Sequence, residues 1–167
     1  MLVRLLLVVA LLVSLAACDS GEAGSDSATL QIGAYVGTFS FPLDGEPSTF
    51  RVQFTTDRAL SGDASATFPM TATLQDAERG NPSVVGDANV SLSGSAVTFT
   101  AETFNLTGPA PPGASSRGGD FFLQVLGTGT LSADGRTIAL PNASILTDSG
   151  GNTDEGTRTV TLTYAGD

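Results

Sequence analysis

The sequence predicts an all-β fold: a single antiparallel β-sandwich or β-barrel of eight to ten strands, formed by residues 30–167. From Leu30 onward, apolar and polar residues alternate with a period of two, which is typical of strands that bury one face. Gly, Asp, Ser and Pro interrupt this alternation at short intervals, as in sandwiches and barrels. The pattern contains no long amphipathic helix, and residues 74–79 are the best candidate for a short one.

The alternation is clearest in residues 49–55, where Phe50, Val52 and Phe54 share one face. Polar residues occupy the positions between them, so one face of this strand is expected to be buried and the other hydrated. The predicted strands, in chain order, are residues 31–41, 49–55, 67–75, 89–92, 96–101, 121–131, 137–140, 145–147 and 157–164.

Three residues predict local departures from regular strand pairing. Pro69 has no backbone N–H, so its strand is expected to lie at a sheet edge or to carry a bulge. Gly127 and Gly129 interrupt a long strand and predict a bend or bulge there.

Short turn motifs predict hairpins between several of the strands. Asp134-Gly135 and Ser93-Gly94 each separate two alternating segments, which favours two-residue type I′ turns. Asp44-Gly45 and residues 61–63 predict further turns.

The composition excludes several kinds of functional site. The chain has 167 residues, enough for one domain, with 17 acidic residues, seven Arg, no His and one Cys. Without His, neither a Ser-His-Asp system nor an imidazole metal site can form, and one Cys cannot make an intrachain disulfide. The net charge of −10 opposes binding to phosphate backbones, so we predict no nucleic-acid partner and no cofactor.

Residues 1–17 have the features of a cleaved, helical signal peptide. Arg4 precedes an apolar stretch at residues 5–15, which is too short to span a bilayer. The stretch ends in Leu15-Ala16-Ala17-Cys18, which resembles the lipobox of bacterial lipoprotein signal peptides. The resemblance implies cleavage before Cys18 and attachment of acyl chains such as palmitate, so Cys18 is the predicted lipid-attachment residue. A buried Cys in an ordinary helix and a plain secretory signal cleaved after Ala17 are the alternatives.

Residues 18–29 are predicted to form a flexible acidic tether between the lipid and the domain, because they contain almost no large apolar side chain. The cleaved chain would have 150 residues, with six Arg against 17 acidic residues and a net charge of −11. Asp19 resembles the inner-membrane signal of enterobacterial lipoproteins, whereas in Bacteroidota-like lineages acidic residues after the Cys resemble a surface-export signal. We expect a membrane-anchored protein of the bacterial cell envelope, with the outer membrane favoured over the inner.

Few residues suggest catalysis or metal binding. Glu102 lies within a predicted strand and Asp120 opens another, and a pair of carboxylates in a cleft is what a carboxylate-dependent hydrolase needs. Calcium prefers several oxygen ligands from a Gly-rich turn, and residues 148–156 contain such ligands, although their spacing differs from that of a helix–loop–helix calcium site. The candidate calcium ligands are Asp148, Asn152, Asp154 and Glu155.

The preferred function is a non-catalytic binding or structural role in the envelope, with the membrane as one partner and an unidentified protein or small molecule as another. The first alternative is a lipocalin-like carrier of a small apolar ligand. Gly33-Ala34-Tyr35 resembles the Gly-x-Trp opening of lipocalins with Tyr in place of Trp, and Arg158 is the candidate for the family's Arg partner. Residues 37–39 and 127–138 also resemble a meander of small all-β bacterial lipoproteins. A carboxylate-dependent hydrolase is the remaining alternative.

Overall fold

A computed structural model describes residues 28–78, 80–103, 121–149 and 152–166. The predicted signal peptide, Cys18 and Asp120 lie outside these residues. The described fold begins with Ala28, which is buried, and with Thr29, which is paired in a strand. The strands are β1 (Thr29–Leu30), β2 (Gly33–Leu43), β3 (Glu46–Thr56), β4 (Leu60–Ser61), β5 (Ala64–Leu74), β6 (Ser83–Ser93), β7 (Ala96–Thr103), β8 (Phe122–Leu131), β9 (Thr137–Ser149) and β10 (Asn152–Gly166).

Eight of the ten strands form a closed antiparallel barrel, which confirms the prediction of an all-β fold and selects the barrel over the sandwich. Around the barrel the order is β10-β2-β3-β5-β6-β7-β8-β9, so each long strand pairs with the next one along the chain. The barrel closes where β10 pairs with β2, through Thr163 opposite Val36 and Tyr164 opposite Tyr35. The short strands β1 and β4 pair with each other and form a separate two-stranded sheet.

The alternation in the sequence places apolar side chains inside the barrel. On β3, Phe50, Val52 and Phe54 are buried, as predicted. The interior contains packed pairs of rings: the centroids of Phe54 and Phe99 lie 5.7 Å apart, and those of Phe50 and Phe121 lie 5.5 Å apart. Offset or tilted rings at this spacing add to the stability that burial alone provides.

The barrel has two ends, which we call the proximal end and the distal end. The proximal end is where the described chain enters, and it consists of residues 28–32, 57–63, 94–95 and 132–136. The distal end consists of residues 44–45, residues 75–82 and the ends of the strands that flank the other connections. Because the strands alternate in direction, β2 runs from the proximal end to the distal end and β3 returns.

The two Asp-Gly dipeptides form different turns. Asp44 and Gly45 both have positive φ, 58° and 74°, and directly join β2 to β3, as a type I′ turn requires. The type I′ turn predicted at Asp134-Gly135 is wrong, because residues 132–136 form a five-residue connection in which only Gly135 has positive φ. The Ser132 hydroxyl widens it by accepting hydrogen bonds from the backbone N–H groups of Arg136 and Thr137, at 3.1 and 2.9 Å.

The hairpin between β6 and β7 lies one residue further along than predicted. Ser93 pairs with Ala96, so the two central residues are Gly94 and Ser95 rather than Ser93 and Gly94. Gly94 alone has positive φ, at 60°, which is the type II′ pattern and not the predicted type I′. The reason is steric, since glycine takes the one central position that requires a left-handed backbone.

Pro69 lies where its strand has a partner on only one side. It pairs with Asp87 of β6, whereas β5 pairs with β3 only over residues 70–74. This half of β5 is edge-like within a closed barrel, which agrees with the prediction for Pro69. The short helix considered at residues 74–79 is not formed in the part of that segment that the structure describes, because β5 continues to Leu74 and a turn follows.

The irregularity predicted at Gly127 and Gly129 is present, but the extra residue lies on the neighbouring strand. Between Leu126 and Thr130 the pairing of β8 with β9 shifts, and the pairing of β10 with β9 shifts at the same level. Both shifts skip Pro141 and Asn142 of β9, which are exposed in succession. The role of Gly129 is instead to let β8 approach β9 closely, because a Cβ at this position would lie 1.8 Å from the backbone oxygen of Ala139.

Candidate functional site

Tyr35 closes the proximal end of the barrel. Its ring is fully buried, stacks on Phe54 with 5.1 Å between centroids, and contacts the edge of Tyr164 at 5.5 Å. Its hydroxyl donates a hydrogen bond to the backbone oxygen of Gly135 and accepts one from the backbone N–H of Gln31 at 2.8 Å. One side chain therefore joins the entering chain to the connection between β8 and β9.

Thr56 holds the same segment from the other side. Its buried hydroxyl donates to the backbone oxygen of Gln31 at 2.6 Å and accepts a hydrogen bond from the N–H of Gly33 at 2.8 Å. The pairing of Thr29 with Ser61 extends this attachment toward the amino end. The segment from residue 29 to residue 33 is thus attached by both backbone and side-chain hydrogen bonds.

Burial and hydrogen bonding shift the pKa of two groups at this end. Burial raises the pKa of Tyr35 above its ordinary value of 10.0, since the phenolate would lose its hydration. The hydrogen bond from the Ser132 hydroxyl at 2.6 Å, with a second from the N–H of Arg136, lowers the pKa of Asp134 below 3.8. Both shifts thus favour the usual forms at neutral pH in the folded protein, a protonated Tyr35 and an ionised Asp134.

Arg158 does not lie beside Tyr35, so the lipocalin-like assignment of this residue is wrong. Its guanidinium lies over the ring of Phe41, 5.3 Å from the centroid, toward the distal end. The arginine at the proximal end is Arg136, which lies 5.7 Å from the centroid of Tyr164. Sequence reasoning missed Arg136, because a two-residue turn at Asp134-Gly135 was expected within the connection of residues 132–136.

A solvent-open groove of about 430 Å³ lies on the outer face of the barrel. It runs along the half of β5 that does not pair with β3. The hydroxyl of Thr67 donates to the side-chain oxygen of Asn89, and Arg58 lies 3.4 Å from Asp57. Hydroxyl and amide groups of this kind can hydrogen-bond a polar ligand but provide no apolar enclosure. The groove is lined by Arg58, Ser65, Ala66, Thr67, Asn89 and Ser91.

The two carboxylates considered for catalysis are not brought together among the described residues. Glu102 is exposed on the outer face of β7, where its carboxylate accepts a 3.5 Å hydrogen bond from the Gln124 amide, and Asp120 lies outside the described residues. The carboxylate nearest along the ladder is Asp87, directly opposite Glu102 on β6, which sequence reasoning missed. This pair faces solvent on a barrel wall rather than a cleft.

The candidate calcium ligands lie mainly in paired strands. Asp148 is opposite Thr153, whose hydroxyl donates to the Asp148 carboxylate at 2.9 Å. Asp154 accepts a hydrogen bond from the backbone N–H of Gly45 at 3.0 Å, and Glu155, as its neighbour in a strand, points to the other face. Across residues 28–78, 80–103, 121–149 and 152–166, no three His, Cys, Asp or Glu side chains are grouped closely enough to hold a metal ion.

Comparison with family models, with curated proteins and with solved structures gives no match to this chain. Among the residues that the structure describes, no helix has the length and apolar character needed to cross a membrane.

Proposed function

We propose that this chain is a lipid-anchored protein of the bacterial cell envelope, and that its barrel has a non-catalytic binding or structural role. The observation that supports the proposal is how firmly residues 28 and 29 are attached to the barrel. Ala28 is buried and Thr29 pairs with Ser61, only ten residues after the lipobox-like Cys18. A lipid on Cys18 would therefore hold a firmly attached end of the barrel through a leash of about ten residues.

The polar outer surface of the barrel supports the proposal that the domain lies in water beside a membrane. Outward positions on the strands are mainly Thr, Ser, Asn and charged residues, whereas inward positions are apolar. A non-catalytic role is supported by Glu102 and Asp87, which face solvent on a barrel wall. Carboxylates that perform hydrolysis need a cleft that positions the substrate between them.

The carrier alternative is supported by topology but less well by the interior. An eight-stranded barrel is the size at which side chains fill the inside or leave room for one small ligand. Here Tyr35, Phe50, Phe54, Phe68 and Phe99 are all buried inside the barrel. An apolar ligand would have to displace packed rings, so we favour the non-carrier role.

Mass spectrometry and detergent partitioning of the protein produced in a bacterium test the proposal. We expect the wild-type chain to begin at Cys18 with added acyl mass and to enter the detergent phase. The Cys18→Ala variant should lose both properties, while the control Ser20→Ala, which leaves Leu15-Ala16-Ala17-Cys18 intact, should keep them. An unprocessed start or a free thiol at Cys18 in the wild-type protein would contradict lipid anchoring.

A further inference from the structure

The chain enters the barrel at one fixed place on the proximal end. Leu30 is fully buried and pairs with Leu60 of β4. The N–H and C=O of Gln31 are bound by the hydroxyls of Tyr35 and Thr56. A tether that joins the barrel at residue 28 would therefore hold it by its proximal end, because the residues that follow are fixed there.

The charges of the barrel are distributed unequally between its two ends. Among the described residues, the proximal end carries Asp57, Asp63 and Asp134 together with Arg58 and Arg136. Arg58 lies beside Asp57. The described residues of the proximal end, three Asp and two Arg, therefore carry a net charge of only −1.

The distal end is strongly acidic. Its turns and strand ends carry Asp44, Glu46, Asp76, Glu78, Asp154 and Glu155. The arginine described near them is Arg158, which lies over Phe41.

We propose that the barrel stands with its proximal end against the membrane and its acidic distal end directed away from the bilayer. This inference rests on the proposed lipid anchor at Cys18. The predicted tether has about ten residues, and a flexible chain of that length would span roughly 17 Å on average. Strands of eleven residues, tilted as in closed barrels, separate the two ends by roughly 25–30 Å. On average, such a tether would therefore span less than the distance between the two ends of the barrel.

The charge distribution favours the same orientation on an anionic membrane. Negative charges within about 8 Å of the surface, one Debye length at physiological salt, are repelled by anionic headgroups. Turning the barrel over would bring the six distal acids into this layer, whereas the near-neutral proximal end is repelled little.

Fluorescent labels at opposite ends of the lipidated protein measure the orientation. Ser95→Cys places a thiol at the proximal end and Ala77→Cys places one at the distal end, and both native residues are small, uncharged and exposed. The thiol of Cys18 is consumed by the lipid, so the label attaches at the introduced residue. Each labelled protein is bound to vesicles of phosphatidylcholine with phosphatidylglycerol that carry a headgroup quencher, and vesicle flotation is recorded in parallel.

We expect quenching at Ser95→Cys to exceed quenching at Ala77→Cys by roughly threefold or more, since roughly 25 Å separates the labels along the barrel. Adding Glu78→Gln and Glu155→Gln should reduce this ratio on anionic vesicles and leave it unchanged on pure phosphatidylcholine. Equal or reversed quenching in a protein that floats with the vesicles would overturn the orientation. A protein that fails to float would instead overturn the lipid anchor itself.

Discussion

The hydroxyl of Tyr35 donates a hydrogen bond to the backbone oxygen of Gly135, one hundred residues further along the chain. The same oxygen of Tyr35 accepts from the N–H of Gln31, so the first long strand, the entering segment and the β8–β9 connection meet at one atom. Gly135 is confined there, because a Cβ on it would lie 1.7 Å from the backbone oxygen of Thr29. The closure of the proximal end thus depends on contacts between residues that are distant in sequence.

Replacing Tyr35 by Phe should lower the free energy of unfolding by about 1–3 kcal/mol, because it leaves the buried carbonyl of Gly135 and the partly buried N–H of Gln31 without their partner. The ring stacking on Phe54 is kept. Tyr164→Phe is the matched control, since its hydroxyl donates to Ile32 in an exposed setting and its loss should cost under about 1 kcal/mol. Urea denaturation of both variants provides the comparison, and equal losses would show that the Tyr35 hydroxyl has no special role.

Stability should fall in alkaline solution because of Tyr35. Burial raises its pKa above 10.0 in the folded state, so the unfolded chain releases the proton first. The stabilisation is complete below the unfolded pKa and is lost as pH rises through the folded one. Denaturation midpoints between pH 8 and pH 12 should decline above about pH 10. The decline should be shallower in Tyr35→Phe, and an unchanged slope in that variant would assign the effect to other groups.

Thr56→Val should destabilise the protein by about 1–3 kcal/mol, since Val keeps the shape but removes the bonds to Gln31 and Gly33. Thr55→Val is the control on the same strand, where the side chain is exposed on the opposite face. Its effect should stay within about 0.5 kcal/mol. Hydrogen exchange at Gly33 should also accelerate in Thr56→Val alone, and similar behaviour of both variants would refute the attachment that we describe.

Gly135→Ala should be far more damaging than Gly62→Ala. Both glycines have positive φ, 71° and 68°, so the backbone strain of about 1–2 kcal/mol is shared. A Cβ at Gly62 meets nothing within 4 Å, whereas at Gly135 it collides with the backbone of Thr29. Thermal melting should show the larger fall for Gly135→Ala, by at least several degrees beyond the control. Equal melting temperatures would mean that residue 29 is not packed there.

Asp134→Asn should reduce the sensitivity of the protein to acid. Hydrogen bonds from Ser132 and from the N–H of Arg136 lower the pKa of Asp134, so its contribution is present above pH 3.8 and is lost as pH falls through the folded pKa. NMR titration should find this pKa below 3.8 in the wild-type protein and closer to 3.8 in Ser132→Ala. A titration that is the same in both proteins would exclude Ser132 as the cause.

Inward positions could be predicted from sequence because the two-residue period of a strand is a local property. Phe50, Val52 and Phe54 are buried as their alternation indicates. The choice between sandwich and barrel could not be predicted, because it depends on whether β10 pairs with β2. No period or turn signal encodes a pairing between strands at opposite ends of the chain.

Turn position was the weaker part of the prediction, and it affected the candidate site. A hairpin centred on Ser93-Gly94 would place Val85 opposite Glu102, whereas the observed centre at Gly94-Ser95 places Asp87 there. Because the predicted turn was displaced by one residue, Asp87 was not recognised as the carboxylate that lies opposite Glu102 among the described residues. Arg136 was missed for a related reason, since the Ser132 side chain lengthens its connection.

The pairing between β2 and β10 delays closure of the barrel until β10 has been made. Val36 and Tyr35 find their partners only when Thr163 and Tyr164 have emerged, near the carboxyl end. Non-local pairing of this kind slows folding, because the chain loses the entropy of closing a long loop before the strand pairing can stabilise it. A chain that emerges amino end first therefore lacks the pairing that closes the barrel until β10 has emerged.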